Sequence, residues 1–203
     1  VWWYLLCFFV AYGFHKSTII FLPAYWLVTI PMNSSRIFYS IMICVILSPF
    51  QVYNPFSSFL DTLNVQDVSN GYNGYISYES SGSSFMDGLI LVFSLLLITY
   101  DKSACRRIYY YEYMRNILVV GVCLYFIMRS NPVFSTRLVG SYLGFAPLVI
   151  PNIIASMDNK NTKWMWHLFF VGFMIFYYFV FAQYQGAAGR FTPDRYQNYL
   201  WSY

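Results

Sequence analysis

The sequence contains apolar runs that a compact water-soluble core could not easily cover. Three of them occupy residues 89–98, 117–128 and 168–182. A backbone in lipid must satisfy its hydrogen bonds within its own segment, which favours helices for such runs. We therefore expect an all-α, polytopic integral membrane protein.

Composition supports this expectation. Hydrophobic residues make up 59% of the 203 residues and charged residues only 10%, whereas soluble domains carry about 25% charged residues. The net charge of +4 is scattered without a basic run, so nucleic acid is not an expected partner. The four cysteines lie far apart, which predicts neither a disulfide framework nor a zinc site.

A helix of about 20 residues crosses the hydrocarbon, and fewer suffice where the bilayer thins. About seven transmembrane helices are predicted in one helical domain over residues 1–203, with a hairpin tip at His15. The predicted segments are 1–14, 16–31, 37–52, 84–100, 108–128, 134–156 and 164–184.

Residues 53–83 are too polar to enter lipid and predict an extramembrane loop. Its Tyr72, Tyr75 and Tyr78 either flank a ligand or lie in water. Lys and Arg near segment ends divide seven to five in favour of placing this loop outside the cytoplasm. The tail at 186–203 then lies on the same outer side.

Two residues are candidates for chemistry on that side. Arg137 lies just inside a long apolar segment, where a charge needs a partner, water or an anionic ligand. Its alternative role is that of a snorkelling interfacial anchor. His15 interrupts an apolar run and is suited to proton exchange, although interfacial anchoring explains it equally well.

The carboxylates form no D-x-D pair or His/carboxylate cluster with metal-ligand spacing, and the sequence has no Gly-rich phosphate loop. Neither a metal nor another cofactor is expected. An anionic leaving group would therefore have to be bound by arginine.

Three stretches carry a family resemblance: GFHKSTIIFLPAYWL, NPVFSTRLVGSYLGFAPLVIPNII and FTPDRYQNYL. They resemble segments of the EpsG-type and Wzy-type polysaccharide polymerases of bacterial inner membranes. His15, Ser17 and Arg137 match position by position, whereas Tyr142 comes one place late and the tail reads Pro-Asp-Arg-Tyr. The resemblance implies that this chain is the C-terminal part of a longer protein, with a group of helices before it.

The resemblance implies a metal-independent polymerase of undecaprenyl-diphosphate-linked oligosaccharide repeat units. Such an enzyme works at the outer face of the inner membrane, resembles the membrane-embedded (GT-C-like) glycosyltransferases, and can have a chain-length regulator as partner. Arg137 and His15 would be catalytic, with Asp61 or Glu79 as substitutes for the histidine as base. The substrate-binding residues would be Arg129, Ser17, Arg190, Tyr72, Tyr75 and Tyr142.

Two other classes remain open from the sequence. The 21 Tyr and 20 Phe residues resemble the bias of AT-rich organellar genomes, which fits a structural subunit of a respiratory complex. A transporter or flippase of lipid-linked sugars is the second alternative, although such proteins usually show internal repeats and none is visible here.

Overall fold

A computed structural model describes residues 1–14, 16–52, 84–130 and 139–181. Across these ranges every regular element is helical. The loop predicted at 53–83 and the tail predicted at 186–203 lie outside the described residues.

The helices follow the apolar segments in chain order. A 3-10 helix, Lys16–Phe21, lies between the first two α-helices, and a second one, Ser48–Phe50, extends the third. The α-helices are α1 (Trp2–Phe14), α2 (Ala24–Leu27), α3 (Ser34–Leu47), α4 (Ser84–Arg107), α5 (Tyr111–Ile127), α6 (Val139–Leu143), α7 (Ala146–Ala155) and α8 (Lys160–Phe176).

Prolines and asparagines explain several boundaries. The side chain of Asn33 caps α3 by accepting a hydrogen bond from the backbone N–H of Arg36 at 2.8 Å. Pro49 lies in the 3-10 turn that ends this segment. Asn159 caps α8 in the same way as Asn33, through the N–H groups of Asn161 and Thr162.

Two predicted segments differ from continuous helices. Residues 16–31 form the 3-10 helix and the four-residue α2. Pro23, which lacks an N–H group and cannot continue a helical ladder, separates the two. Residues 139–155 form α6 and α7, which turn at Gly144 and Phe145. Conversely, α4 continues seven residues beyond the predicted end at 100, to Arg107.

The chain folds into two compact units, one of residues 1–156 and one of residues 157–203. In the first unit, α5 packs against α2, α3, α4, α6 and α7, so it is the central helix. In the second unit, α8 continues into a π-helical turn, Tyr177–Phe181, and buries none of its own residues. The prediction of one helical domain over 1–203 stays a prediction.

Among the described residues, one stretch is long and apolar enough to cross a membrane by length and composition, Met86–Arg107 in α4. Three shorter apolar helical stretches are Trp2–Phe14, Ser34–Phe50 and Val139–Ala155. The prediction of about seven transmembrane helices is therefore not confirmed. Large apolar side chains are nevertheless widely exposed, including Trp2 at 83%, Trp3 at 82% and Phe14 at 88%.

Candidate functional site

Helices α4 and α5 form an antiparallel hairpin that carries an ion pair at each end. Asp87 pairs with Arg129 near the start of α4 and the end of α5, and Asp101 pairs with Arg115 nearer the turn. The two pairs are 14 residues apart on each helix, which is about 21 Å along the axis. We call the two ends of this hairpin the Arg129 end and the Arg115 end.

At the Arg129 end, the Asp87 carboxylate accepts three hydrogen bonds. The Nε of Arg129 donates to Oδ1 at 2.8 Å and its Nη2 donates to Oδ2 at 2.5 Å. The hydroxyl of Tyr125 donates to Oδ1 at 2.9 Å. The carboxylate raises the pKa of the Arg129 guanidinium above its usual value, because hydrogen bonding favours the charged form. This side chain is therefore a permanent cation.

The Arg129 guanidinium is only partly engaged. Its side chain is 43% exposed and that of Asp87 is 19% exposed. Asp87 occupies the edge formed by Nε and Nη2. Within the described residues Nη1 has no hydrogen-bond partner, so the edge formed by Nη1 and Nη2 still has donors for an anion.

The Arg115 end is buried, and all three guanidinium nitrogens of Arg115 donate hydrogen bonds. Nη1 of Arg115 donates to Oδ1 of Asp101 at 2.9 Å and to the sulfur of Cys105 at 3.2 Å. Its Nε and Nη2 donate to Oδ1 of Asn116 at 3.1 and 2.9 Å. The Arg115 and Asp101 side chains are only 1% and 3% exposed. This pair holds helices together and cannot reach a ligand.

Asn116 links the buried pair to the segment between α2 and α3. Its Nδ2 donates to the carbonyl oxygens of Val28 at 2.7 Å and Ile30 at 2.8 Å. Those carbonyls follow a short helix and would otherwise lack partners. The connection between α2 and α3 is thereby fixed at the Arg115 end.

A third contact joins the two sequence stretches that carry the family resemblance. The rings of Phe21 and Tyr142 stack with centroids 4.8 Å apart and planes inclined by 14°. Phe21 ends the 3-10 helix that begins just after His15, and Tyr142 lies in α6, five residues after Arg137. The hydroxyl of Tyr4 in α1 donates to the carbonyl oxygen of Phe21. The two stretches therefore pack against each other within the first unit.

Close backbone approach makes this packing possible. An alanine Cβ at Gly121 of α5 would lie 3.0 Å from Cβ of Tyr142 and 3.1 Å from the backbone nitrogen of Leu143. Glycine thus lets α6 rest directly on α5. Tyr142 is 1% exposed, so its side chain has almost no surface that a substrate could touch in this structure. Its predicted substrate-binding role stays a prediction.

The other predicted site residues are described partly or not at all. Ser17 lies in the 3-10 helix, and only its backbone is described. The remaining candidates lie outside the described residues: His15, Arg137, Arg190, Tyr72, Tyr75 and Tyr78. Their predicted roles stay predictions. In the described ranges, no group of three His, Cys, Asp or Glu residues is placed to hold a metal ion.

Two residues of the Arg129 end, Asp87 and Tyr125, are not among the candidates that the sequence suggests. A signal for Asp87 is present, because Asp87 and Arg129 each lie 21 residues from Ile108, at the turn of the hairpin. Residues equally far from the turn of an antiparallel helix pair reach the same level. Asp101 and Arg115, each seven residues from Ile108, obey the same relation.

Comparison with known proteins gives one family. No curated protein and no solved structure matches the chain. The model of the EpsG family matches residues 1–199, which confirms the resemblance carried by the three sequence stretches. That family consists of membrane proteins and is associated with polysaccharide polymerases in general. Because the match extends over nearly all of its residues, this chain belongs to the EpsG family.

Proposed function

We propose that the protein polymerises undecaprenyl-diphosphate-linked oligosaccharide repeat units into a surface polysaccharide. The reaction takes place at the outer face of the bacterial inner membrane. A hydroxyl of one repeat unit attacks the anomeric carbon of another, the bond to the diphosphate breaks with its electron pair on the phosphate oxygen, and the hydroxyl proton passes to a base. Arg137 stabilises the departing diphosphate, and His15 accepts the proton.

The observation that carries this proposal is the stack of Phe21 on Tyr142 in a member of the EpsG family. It brings the stretch that contains His15 and the stretch that contains Arg137 into one packed unit. A polymerase of this kind needs both stretches at one place, because proton acceptor and anion stabiliser act on the same bond.

The order of contacts along α5 supports the same grouping. Val28 and Ile30 contact Asn116, whereas Tyr142, against which Phe21 stacks, rests on Gly121. Gly121 is about 7 Å further along the axis than Asn116, and Arg129 is about 12 Å further again. The chain from Ile30 back to Phe21 thus leads away from the Arg115 end.

In the sequence, Arg137 lies between Ser130, which follows Arg129, and Val139, the first residue of α6. Val139 is fully buried. The predicted loop 53–83 leads into the first turn of α4, which carries Asp87. Arg129 is the proposed substrate contact at the Arg129 end. The roles of Arg137, Ser17, Arg190, Tyr72, Tyr75 and Tyr142 stay those that the family resemblance implies.

The exposed apolar surface supports a lipid environment. Helix α1 buries none of its residues and has Leu6, Phe9 and Val10 more than half exposed. Contiguous apolar surface of this kind marks contact with lipid or with other helices. The lipid bilayer and the lipid-linked oligosaccharide are the proposed partners, with a chain-length regulator as a third and with no role for nucleic acid or cofactor.

The proposed function is tested by measuring the length of the polysaccharide in cells that lack the protein. We expect long chains to disappear and single repeat units to accumulate on the lipid carrier, and expression of the protein to restore the long chains. If the protein were a respiratory subunit, its loss would change oxygen consumption and leave the polymer unchanged. If it were a flippase, its loss would leave the repeat units on the cytoplasmic side, where an external glycosidase cannot cut them in intact cells.

A further inference from the structure

The three side chains at the Arg129 end form an arrangement that ordinary helix pairing does not require. An exposed ion pair contributes only about 0–1 kcal/mol to stability. Here the carboxylate of Asp87 accepts three hydrogen bonds, two from one edge of Arg129 and one from the Tyr125 hydroxyl. The result is a guanidinium fixed in orientation with one edge left over.

The comparison with Arg115 shows what is particular about Arg129. In Arg115, Nε and both Nη groups have hydrogen-bond partners, and the side chain is 1% exposed. Among the described residues, the Arg129 guanidinium donates only to Asp87, and the side chain is 43% exposed. One hairpin thus contains a buried structural arginine, whose three guanidinium nitrogens all donate, and an arginine with an available donor edge.

The available edge suits a particular chemical group. Nη1 and Nη2 present two parallel N–H donors, the geometry that binds two oxygens of a phosphate. The group lies at the end of α5 from which the chain continues toward Arg137. A diphosphate has two phosphate groups and can therefore engage two arginines at once.

We propose that Asp87, supported by Tyr125, is a positioning residue that orients Arg129 so that its Nη1–Nη2 edge binds the diphosphate of the lipid-linked substrate. The inference deepens the proposed function and rests on it for the identity of the substrate. Asp87 does not touch the diphosphate. It holds the guanidinium plane in place, and the binding geometry is set before the substrate arrives.

The decisive variant is Asp87→Asn, because two explanations predict opposite signs. Removing a negative charge beside Arg129 would strengthen anion binding if Asp87 only neutralised the arginine. If Asp87 orients the arginine, an amide cannot accept from both donors, and binding weakens. The probe is inorganic pyrophosphate, titrated calorimetrically into the detergent-solubilised full-length protein.

We expect Asp87→Asn to weaken pyrophosphate binding about 10-fold, as for loss of a charge-assisted hydrogen bond. Arg129→Lys should weaken it at least as much, and Tyr125→Phe about 3-fold. The matched control is Arg106→Ala, which removes an exposed arginine at the last turn of α4 and should leave binding unchanged. Tighter or unchanged binding by Asp87→Asn would overturn the positioning role.

A charge swap separates positioning from stability. Asp87→Arg combined with Arg129→Asp restores an ion pair between the same helices, so the melting temperature should return toward that of the unmodified protein. Pyrophosphate binding should remain at least 10-fold weaker, because the guanidinium now starts from α4. Recovery of both properties would show that the pair is structural only.

Failure of this inference can be distinguished from failure of the proposed function. If cells lacking the protein make normal polymer, the proposed function fails, while the pyrophosphate titration still decides whether Asp87 positions Arg129. If polymer depends on the protein but pyrophosphate binds equally to Arg129→Lys, this inference alone fails.

Discussion

The ring of Phe21 stacks on the ring of Tyr142, with their centroids 4.8 Å apart. The two residues are far apart in the sequence, yet each belongs to a stretch that carries the family resemblance. The stack is therefore a packing contact between the segment that follows His15 and the helix that follows Arg137.

Truncation of Tyr142 should remove this packing contact. Replacing a buried aromatic side chain by alanine costs about 3–5 kcal/mol, so Tyr142→Ala should lower the melting temperature in detergent and abolish long polymer. Tyr142→Phe keeps the ring and should retain most of the stability. If the hydroxyl contacts substrate, Tyr142→Phe will shorten the polymer without lowering the melting temperature.

The double variant Phe21→Ala with Tyr142→Ala tests the contact itself. The pair should show a coupling energy of about 0.5–1.5 kcal/mol, the range for aromatic pairs. Strict additivity of the two single effects in thermal unfolding would contradict a direct stack.

Gly121 should be intolerant of even one methyl group. An alanine Cβ would approach the backbone nitrogen of Leu143 and the carbonyl carbon of Tyr142 to 3.1 Å. Backbone atoms cannot move aside as a side-chain tip does, so Gly121→Ala should destabilise the protein by about 1–3 kcal/mol. Thermal unfolding in detergent measures the change.

The matched control for that change is Gly172→Ala in α8. A Cβ there meets nothing within 4 Å, so the variant should gain the helix propensity of alanine, up to about 1 kcal/mol. Equal melting temperatures for the two alanine variants would show that α6 does not rest on Gly121.

The buried pair of Asp101 and Arg115 should behave as a structural unit. Asp101→Ala leaves the Arg115 charge buried and unpaired, which typically costs about 3–5 kcal/mol. Adding Arg115→Met removes that charge and should recover part of the loss. A double variant as unstable as the sum of both single variants would contradict the pairing. Thermal unfolding and the yield of folded protein in the membrane measure the effect.

Helix location follows from the sequence because hydrophobic runs are local signals. The helix starts are less accurate: α3 and α8, capped by Asn33 and Asn159, begin three and four residues before the predicted starts at 37 and 164. A proline does not always end a helix either, since Pro151 lies inside α7. The break between α6 and α7 at Gly144 and the 3-10 geometry of Lys16–Phe21 are not predictable in this way. The 3-10 helix packs against α1, and α6 rests on Gly121 of α5. Single-segment hydropathy does not report such packing.

The site is predictable in part. Arg129 is among the substrate-binding residues that the family resemblance implies. Its partner Asp87 lies 42 positions away. The pairing is found only when residues at equal sequence distance from the turn at Ile108 are compared. Tyr125 cannot be found in this way, since tyrosines occur throughout the chain.

The proposed orientation predicts a labelling pattern in intact cells. In a variant without the four native cysteines, Asn70→Cys and Arg190→Cys should react with a membrane-impermeant maleimide. Arg106→Cys at the Arg115 end and Asn161→Cys at the start of α8 should react only after permeabilisation. Both of these positions are exposed, so protein burial does not protect them. Protection of Asn70→Cys in intact cells would reverse the orientation and remove the basis for an outer-face site.

Arg137 provides the sharpest test of the proposed chemistry. If it stabilises the diphosphate as the sugar bond breaks, Arg137→Lys should fail to restore function, because an ammonium keeps the charge but loses the paired N–H donors. Arg137→Ala should be at least as defective. The loss of one preorganised donor to a developing anion typically lowers turnover by about 100-fold or more.

An interfacial anchor at the same position predicts a different result. Lysine snorkels as well as arginine does, so activity would survive in Arg137→Lys. The measurement is polymer length on a gel from cells that express each variant at matched protein level, together with the amount of single repeat units on the lipid carrier. Because Arg129→Lys changes the same chemical group earlier in the chain, outside the apolar segment, it serves as the comparison and should shorten the polymer less than Arg137→Lys does. Long chains from Arg137→Lys would refute the catalytic role, since a merely positive side chain would then be sufficient.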